Sequence, residues 1–204
     1  MIDAGQGLMT IDMERSSLVD LRPGIAVCAY DAAPGWDLVE DLSGEPWSPA
    51  GARTVSLSAE APSRLAERLS DHLRRGDCRA VLLVGRASRS TGFRMQMRAE
   101  NRALDQDERL LRTGPGLART TAPVADIVRA IHAAGLPAEA TSEVEADAGS
   151  YLLYRVLVEL ADGPHTPAVG LLRTPPSADE VSVKKAVKAA ASVMAGHMAL
   201  LPRH

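Results

Sequence analysis

A short turn before an apolar helix pattern is the first place in this sequence where chemistry is expected. Residues 145–163 read EADAGSYLLYRVLVELADG, so Ser150 follows a glycine at the point where a helix begins. A hydrolase nucleophile elbow reads Gly-x-Ser-x-Gly, and the second glycine is missing here. Serine is also a common helix N-cap, because its hydroxyl accepts a hydrogen bond from a free backbone N–H. We therefore predict that Ser150 caps the helix and is not a nucleophile.

The thiols and imidazoles show no spacing typical of a catalytic or metal site. Cys28 lies in an apolar run typical of a buried strand, and Cys78 precedes a second such run. Two cysteines in a chain of this length predict no disulfide framework, and without suitably spaced histidines they predict no zinc site. Asp105 and Asp107 could form a small cation site, but a charged loop explains them without one. The histidines are His72, His132, His165, His197 and His204. We expect no metal and no cofactor.

The loop GRASRSTG, residues 85–92, is a candidate anion-binding segment. It follows an apolar strand pattern and combines backbone N–H groups with Arg86, Ser88 and Arg89. It lacks the Gly-Lys-Ser/Thr ending of a phosphate-binding loop and the glycine spacing of a dinucleotide fold. A solvated polar loop explains the same residues more simply. The three side chains are therefore ligand-binding candidates that no nucleotide motif supports.

Hydrophobic periodicity predicts strands and helices in alternation. Leu65, Leu69 and Leu73 repeat every four residues, as on one face of an amphipathic helix. Residues 79–85 are almost wholly apolar, as in a central strand covered on both faces. Residues 93–101 alternate apolar and polar side chains, which predicts one half-buried strand with a polar face. Strands are predicted at 25–30, 53–58, 79–85, 93–101, 137–145 and 168–173, helices at 61–75, 122–135, about 150–161 and from about 177 onward, and loop at 105–121.

This order of elements predicts a single α/β domain. Helices that alternate with strands cover both faces of a sheet, which gives three α/β/α layers around a mostly parallel or mixed central sheet. We place this domain at residues 23–204, because no repeat or low-complexity linker divides them. Residues 1–22 lack clear periodicity and are predicted to form an N-terminal extension, either poorly ordered or docked elsewhere.

Composition excludes several classes of protein. The 204 residues are 46% hydrophobic and carry a formal net charge of -3, so the chain has no basic footprint for nucleic acid. Aromatic residues are only 3%, which predicts an aliphatic core. No apolar run approaches the roughly 20 residues of a membrane span, and no charged-then-apolar leader opens the chain. We expect a cytoplasmic, bacterial-type protein that binds neither membrane nor nucleic acid.

Four segments, in a consistent order over about residues 53–200, resemble the pyrrolidone-carboxylate peptidases (pyroglutamyl peptidase I). These cysteine peptidases remove N-terminal pyroglutamate. The likeness is clearest at residues 113–160, where a Gly-Pro, a helix ending Ala-Gly-Leu-Pro-Ala and an Ala-Gly-Ser-Tyr helix start follow one another. The other segments are LLVGRASRS, FRMQMRAEN and VGLLRTPP. The resemblance implies the family's α/β/α fold, and it implies a homo-oligomer, either a dimer or a tetramer.

The residues that the family uses for catalysis are absent from the matching positions. The family's cysteine nucleophile falls on Leu153, its histidine base on Arg173, and its orienting glutamate on Gln96. The family's loop glutamine and arginine fall on Arg86 and Ser90. Leucine cannot form a thioester, and a guanidinium that stays protonated cannot act as a general base near neutral pH. The resemblance therefore implies a peptidase fold without pyroglutamyl peptidase activity.

Three functions remain open on the sequence alone. The first is an inactive peptidase-like protein that acts as a binding or assembly module. The second is a binder of a small anionic ligand in the former cleft, through Arg86, Arg173 and Arg89 with a neutral hydrogen bond from Gln96; a salt bridge of Arg173 inside a filled cleft explains that residue equally well. The third is a hydrolase with relocated catalytic residues. Its candidates are Ser150, Cys28 and His165.

Overall fold

The computed structural model describes residues 20–31, 46–104 and 108–200. The predicted N-terminal extension at 1–22 lies almost wholly outside these ranges, and so do Asp105, Asp107 and His204. The domain boundary proposed at residue 23 therefore stays a prediction.

Strands and helices alternate within the described ranges, as the periodicity predicted. The strands are β1 (Gly24–Ala29), β2 (Arg53–Leu57), β3 (Cys78–Arg86), β4 (Phe93–Gln96), β5 (Arg98–Glu100), β6 (Leu117–Arg119), β7 (Ala138–Thr141) and β8 (Ala168–Thr174). The helices are α1 (Pro62–Arg74), α2 (Val124–Ala133), α3 (Ala148–Val158) and α4 (Glu180–Leu200).

The central sheet is mixed. Its six strands run in the order β2-β1-β3-β8-β4-β7. β4 pairs antiparallel with β8, while the other neighbours in the sheet pair parallel. β3 and β8 lie in the middle, which explains why both sequences are apolar over most of their length. The expected mixed sheet is confirmed.

Helices cover both faces of the sheet and give the expected three layers. α2 packs against α4 on one face, where Leu82, Met95 and Leu172 belong to the buried cluster. α1 packs against α3 on the other face, where Leu83 and Leu171 belong to a second cluster. Alternate residues of β3 and β8 thus supply two cores, as strand geometry requires.

The single strand predicted at 93–101 is wrong, and so is the loop predicted for all of 105–121. The chain leaves the main sheet after Gln96 and forms a separate two-stranded ribbon, in which β5 pairs antiparallel with β6. Met97 is the point of change, because its N–H donates to the carbonyl of Thr141 in the main sheet while its carbonyl accepts from Thr120 beside the ribbon. Met97 is 37% exposed instead of buried. These partners come from distant parts of the chain, so local alternation did not show the break.

Candidate functional site

Gln96 and Arg173, two of the three residues matched to the peptidase triad, meet where β4 and β8 face the start of α3. Val169 and Leu171 of β8 point into the core under α3, so alternation directs Arg173 to the same face. In β4, Arg94 lies opposite Arg173 and Gln96 lies opposite Leu171. Gln96 and Arg173 are both buried, and each is 1% exposed. The sheet register therefore brings two polar side chains together inside the protein.

Five residues form a hydrogen-bonded group around a buried guanidinium, which we name the Arg173 network: Arg173, Asp147, Gln96, Ser150 and Tyr30. The Nε and Nη2 atoms of Arg173 each donate to Gln96 Oε1 at 3.1 Å. Nη2 also donates to Asp147 Oδ1 at 2.8 Å and to Ser150 Oγ at 3.0 Å. Nη1 donates to the Tyr30 hydroxyl at 2.7 Å and to Asp147 Oδ2. Every nitrogen of the guanidinium thus has a partner within the protein.

Electrostatics favour the ionised form of both members of the Arg173–Asp147 pair. Burial acts to raise the pKa of Asp147, but the hydrogen bonds and charge of Arg173 outweigh it and hold that pKa below its ordinary value of 3.8. Burial acts to lower the pKa of Arg173, and Asp147 raises it above its ordinary value. Burial raises the pKa of the Tyr30 phenol, so Tyr30 stays protonated beside the pair. The network is an ion pair between a buried guanidinium and a half-buried carboxylate, with neutral hydrogen-bonding neighbours.

The prediction that Ser150 caps α3 is wrong. Asp147 is the N-cap, with an extended backbone, and its Oδ1 accepts from the Ser150 N–H at 3.0 Å. The Ser150 hydroxyl instead faces inward and also accepts from Gln96 Nε2 at 3.1 Å. The motif Asp-x-x-Ser gave a signal for this cap, since aspartate is as good an N-cap as serine. The Arg173–Asp147 pair had no such local signal.

Two glycines let Tyr30 reach the network. A Cβ on Gly85 of β3 or on Gly149 of α3 would overlap the Tyr30 ring. The tyrosine therefore sits in a slot between the sheet and the start of the helix, where its hydroxyl meets Arg173. This role of Tyr30, together with that of Asp147, was not predicted from the sequence.

Leu153 contributes no chemistry to the site. It lies one turn beyond Ser150 on α3, is 0% exposed, and belongs to the apolar cluster beneath α1 and α3. A cavity of about 20 Å³ lies next to the network, lined by Glu100, Asp147 and Ser150 among others. This volume is about that of one water molecule, and the cavity is therefore too small for a pyroglutamyl ring.

The loop candidates lie apart from Arg173. Val84 points into the core under α2 and α4, so alternation directs Arg86 to that face of the sheet, opposite to Arg173. Arg86, Ser88 and Arg89 are exposed. Two of the loop's backbone donors are already occupied, since the Arg86 N–H donates to Asp31 at 2.7 Å and the Ser88 N–H donates to Glu145 at 2.8 Å. The structure does not bring Arg86 and Arg173 into one pocket.

Both thiols are buried, and the effect of burial outweighs the nearby charges of Arg68 and Arg53. Burial raises the pKa of Cys28 to about 12 and that of Cys78 to about 11, which keeps both protonated. His165 lies in the loop before β8, five strand positions or more from Arg173, which is roughly 16 Å at about 3.3 Å per residue. It therefore lies near the N-terminal end of β8, whereas the Arg173 network and Ser150 lie near its C-terminal end.

Within residues 20–31, 46–104 and 108–200, no group of three or more His, Cys, Asp or Glu side chains could hold a metal ion. No helix in these ranges is long and apolar enough to cross a lipid bilayer.

The fold is that of the pyroglutamyl peptidases. No family sequence model matches the chain, and no curated protein sequence does. Solved structures do match. Pyroglutamyl peptidase I from Bacillus amyloliquefaciens superposes with a TM-score of 0.73 at 20% identity, over 87% of this chain and 97% of that one. A mutant pyrrolidone carboxyl peptidase from the hyperthermophile Pyrococcus furiosus gives 0.71 at 18% identity, over 85% and 99%. The Thermus thermophilus enzyme gives 0.68 at 19% identity, over 83% and 98%. The resemblance found in the sequence is thus confirmed at the level of the fold.

Proposed function

We propose that this protein has a pyroglutamyl peptidase fold without pyroglutamyl peptidase activity, and that it acts as a binding or assembly module. One observation supports the first part above all. Where the family's base is expected, Arg173 is 1% exposed and bonded through all of its nitrogens to Asp147, Gln96, Ser150 and Tyr30. A buried guanidinium in this state neither accepts a proton nor contacts a substrate.

Ser150, Cys28 and Cys78 do not replace the missing cysteine. Ser150 Oγ accepts from a guanidinium and from an amide, and neither group can take the proton of a hydroxyl. The Asp147 carboxylate also hydrogen-bonds to Ser150, but it is paired with Arg173 and its pKa lies below its ordinary value, which makes it a weak base. Cys28 and Cys78 are buried thiols with raised pKa values. These observations argue against a hydrolase with relocated catalytic residues, because nucleophilic catalysis needs a base within hydrogen-bond distance.

The same geometry favours an internal role for Arg173 over an anionic ligand. An anion that bound this guanidinium would have to displace Asp147, which already faces Nη1 and Nη2. Arg86 and Arg89 are exposed, and the strand register directs Arg86 to the face of the sheet opposite to Arg173. We therefore assign the Arg173 network to stability and not to ligand binding.

The activity test compares the purified protein with an active pyroglutamyl peptidase on a pyroglutamyl coumarin amide. We expect no fluorescence above the protease-free blank, while the active enzyme gives a strong signal under the same conditions. Release of coumarin that co-elutes with the protein and disappears in Ser150→Ala or Cys28→Ala would contradict the proposal. Release that survives both substitutions and separates on a second column would identify a contaminant and leave the proposal standing.

The assembly part rests on exposed apolar side chains. Among the described residues, three of the six large hydrophobic residues that are exposed lie on or beside the β5–β6 ribbon: Met97 at 37%, Leu104 at 36% and Leu117 at 49%. A ribbon of two short strands also leaves unpaired backbone edges, which favour contacts with another chain. We infer that this ribbon is the contact surface between copies.

Light scattering coupled to size-exclusion chromatography tests this inference across a dilution series. We expect a dimer or tetramer for the wild type, a shift toward monomer for Leu117→Glu, and no shift for the matched control Val181→Glu on α4, where Val181 is 42% exposed. A monomer at every concentration, or equal behaviour of the two variants, would refute the assignment of the ribbon.

A further inference from the structure

A second cavity lies at the end of the sheet where β8 begins, away from the Arg173 network. Its volume is about 450 Å³, which falls within the roughly 300–1,000 Å³ typical of small-molecule sites. The last turns of α1 and α3 and the 161–167 loop that leads into β8 form its walls. Much of the lining is apolar, from Leu73, Val156, Leu160, Pro164 and Pro167. The site is built for an apolar body.

Ser70 places an unpaired hydroxyl in this wall. The residue is 4% exposed, and its Oγ has no hydrogen-bond partner among the residues that the structure describes. A serine inside a helix ordinarily bonds to the carbonyl one turn earlier or points into solvent, and Ser70 does neither. An unpaired buried hydroxyl lowers stability. A ligand whose polar group reaches this buried oxygen would supply the missing hydrogen bond.

Charged residues at the rim of the cavity limit the charge that a ligand can carry. Arg74 already pairs with Asp71 at 2.8 Å, and it shares Glu159 with Arg155. Asp162, which also lines the cavity, has no ion-pair partner among the described residues, whereas the neighbouring His165 does have an interaction partner. Within the described part of the chain, the rim thus presents one unpaired carboxylate, while its arginines are paired. An anionic ligand would be repelled there, whereas a neutral or cationic one would not.

We propose that this cavity binds a small molecule with an apolar body and one polar group, an alcohol or an amine. The polar group bonds to the Ser70 hydroxyl, and the acidic rim stabilises a positive charge where the ligand carries one. The site is separate from the Arg173 network, so its test does not depend on the outcome of the peptidase assay.

Three compounds with the same ring test the proposal on the full chain. Cyclohexylmethanol, cyclohexylmethylamine and cyclohexanecarboxylate are titrated to millimolar concentration while backbone amide shifts are followed by NMR. We expect the alcohol and the amine to shift the amides of residues 70–74 and 156–163 and to leave Arg173 unmoved. The carboxylate should bind about three- to tenfold more weakly, because its charge meets an exposed carboxylate.

Matched variants locate the site. Ser70→Ala should lower the affinity for the alcohol by about three- to tenfold, which corresponds to the loss of one neutral hydrogen bond. Leu73→Trp should fill the cavity and abolish binding. Ser192→Ala, an exposed serine on α4, is the control and should bind as the wild type does. Circular dichroism checks that each variant is folded, and Ser70→Ala removes only a hydroxyl. No binding of the alcohol or the amine, equal binding of the carboxylate, or unchanged affinity in Ser70→Ala would overturn the proposal.

Discussion

Replacing Asp147 with asparagine separates the charge of the buried ion pair from its other roles. Asparagine is also a good N-cap, so Asp147→Asn keeps the hydrogen bond from the Ser150 N–H. What is lost is the negative charge and one acceptor that face Arg173. The guanidinium is 1% exposed and cannot turn to water, whereas the Asp147 side chain is 32% exposed. The variant therefore leaves a buried cation without its counter-ion.

The expected loss follows from two independent magnitudes. Two charge-assisted hydrogen bonds contribute about 1.5–3 kcal/mol each. Removal of one partner from a buried ion pair costs about 3–5 kcal/mol, because the other charge stays buried. We therefore expect Asp147→Asn to lower the free energy of unfolding by about 3–5 kcal/mol. Domains of this kind have only about 5–15 kcal/mol in total, so the variant should remain folded with a small margin.

Urea denaturation followed by far-UV circular dichroism at pH 7 measures this loss. Asp126→Asn is the control, because Asp126 pairs with Arg129 on the surface and such pairs contribute about 0–1 kcal/mol. The double variant Asp147→Asn with Arg173→Met should recover part of the loss, since it removes the stranded charge. A loss for Asp147→Asn no larger than that for Asp126→Asn would refute the assignment of a buried, interacting pair.

The remaining predictions concern pH, thiol reactivity and backbone packing. The pKa of Asp147 is lower in the folded state than its ordinary 3.8, so its contribution to stability is present above that pH and is lost as the pH falls through the folded pKa. The free energies of unfolding of the wild type and Asp147→Asn should therefore converge as the protein is titrated with acid. A difference between them that stayed constant with pH would contradict this prediction. Cys28 and Cys78, with pKa values of about 12 and about 11, should not react with a chromogenic disulfide at pH 8 until urea unfolds the protein, and rapid labelling of the native chain would disprove their burial. Gly149→Ala should destabilise by about 1–3 kcal/mol through overlap with the neighbouring tyrosine ring. Gly196→Ala on α4 should instead stabilise the protein by up to about 1 kcal/mol, because the added Cβ would point into open space.

Local pattern was enough to predict most elements of the fold. The apolar runs of β1, β3 and β8 and the periodicity of α1 and α2 were confirmed at nearly the predicted positions. These signals are strong because each element carries its own burial pattern, and burial of one face is a property of neighbouring residues. The ordered motifs over residues 53–200 also pointed to the correct fold.

The failures share one physical cause. The break at Met97 depends on hydrogen bonds to Thr141 and Thr120, which lie about 20 to 45 residues away in the chain. Serine and aspartate are both suited to the cap position, and the structure decides for Asp147 because its Oδ1 accepts from the Ser150 N–H, while the Ser150 hydroxyl bonds to Gln96 and Arg173. Alternation alone predicts which face a side chain takes and not which partner it meets there.

By itself, the sequence predicted an α/β layered domain, which the fold confirms, and a resemblance in which Leu153, Arg173 and Gln96 fall on the family's catalytic positions. Only the tertiary structure decided what the arginine does. Arg173 lies 26 residues from Asp147, 77 from Gln96 and 143 from Tyr30 in the chain. These four residues meet only because β8 lies between β3 and β4 in the sheet and because α3 begins above it. The low dielectric of that position then makes an ion pair the stable arrangement of a buried guanidinium.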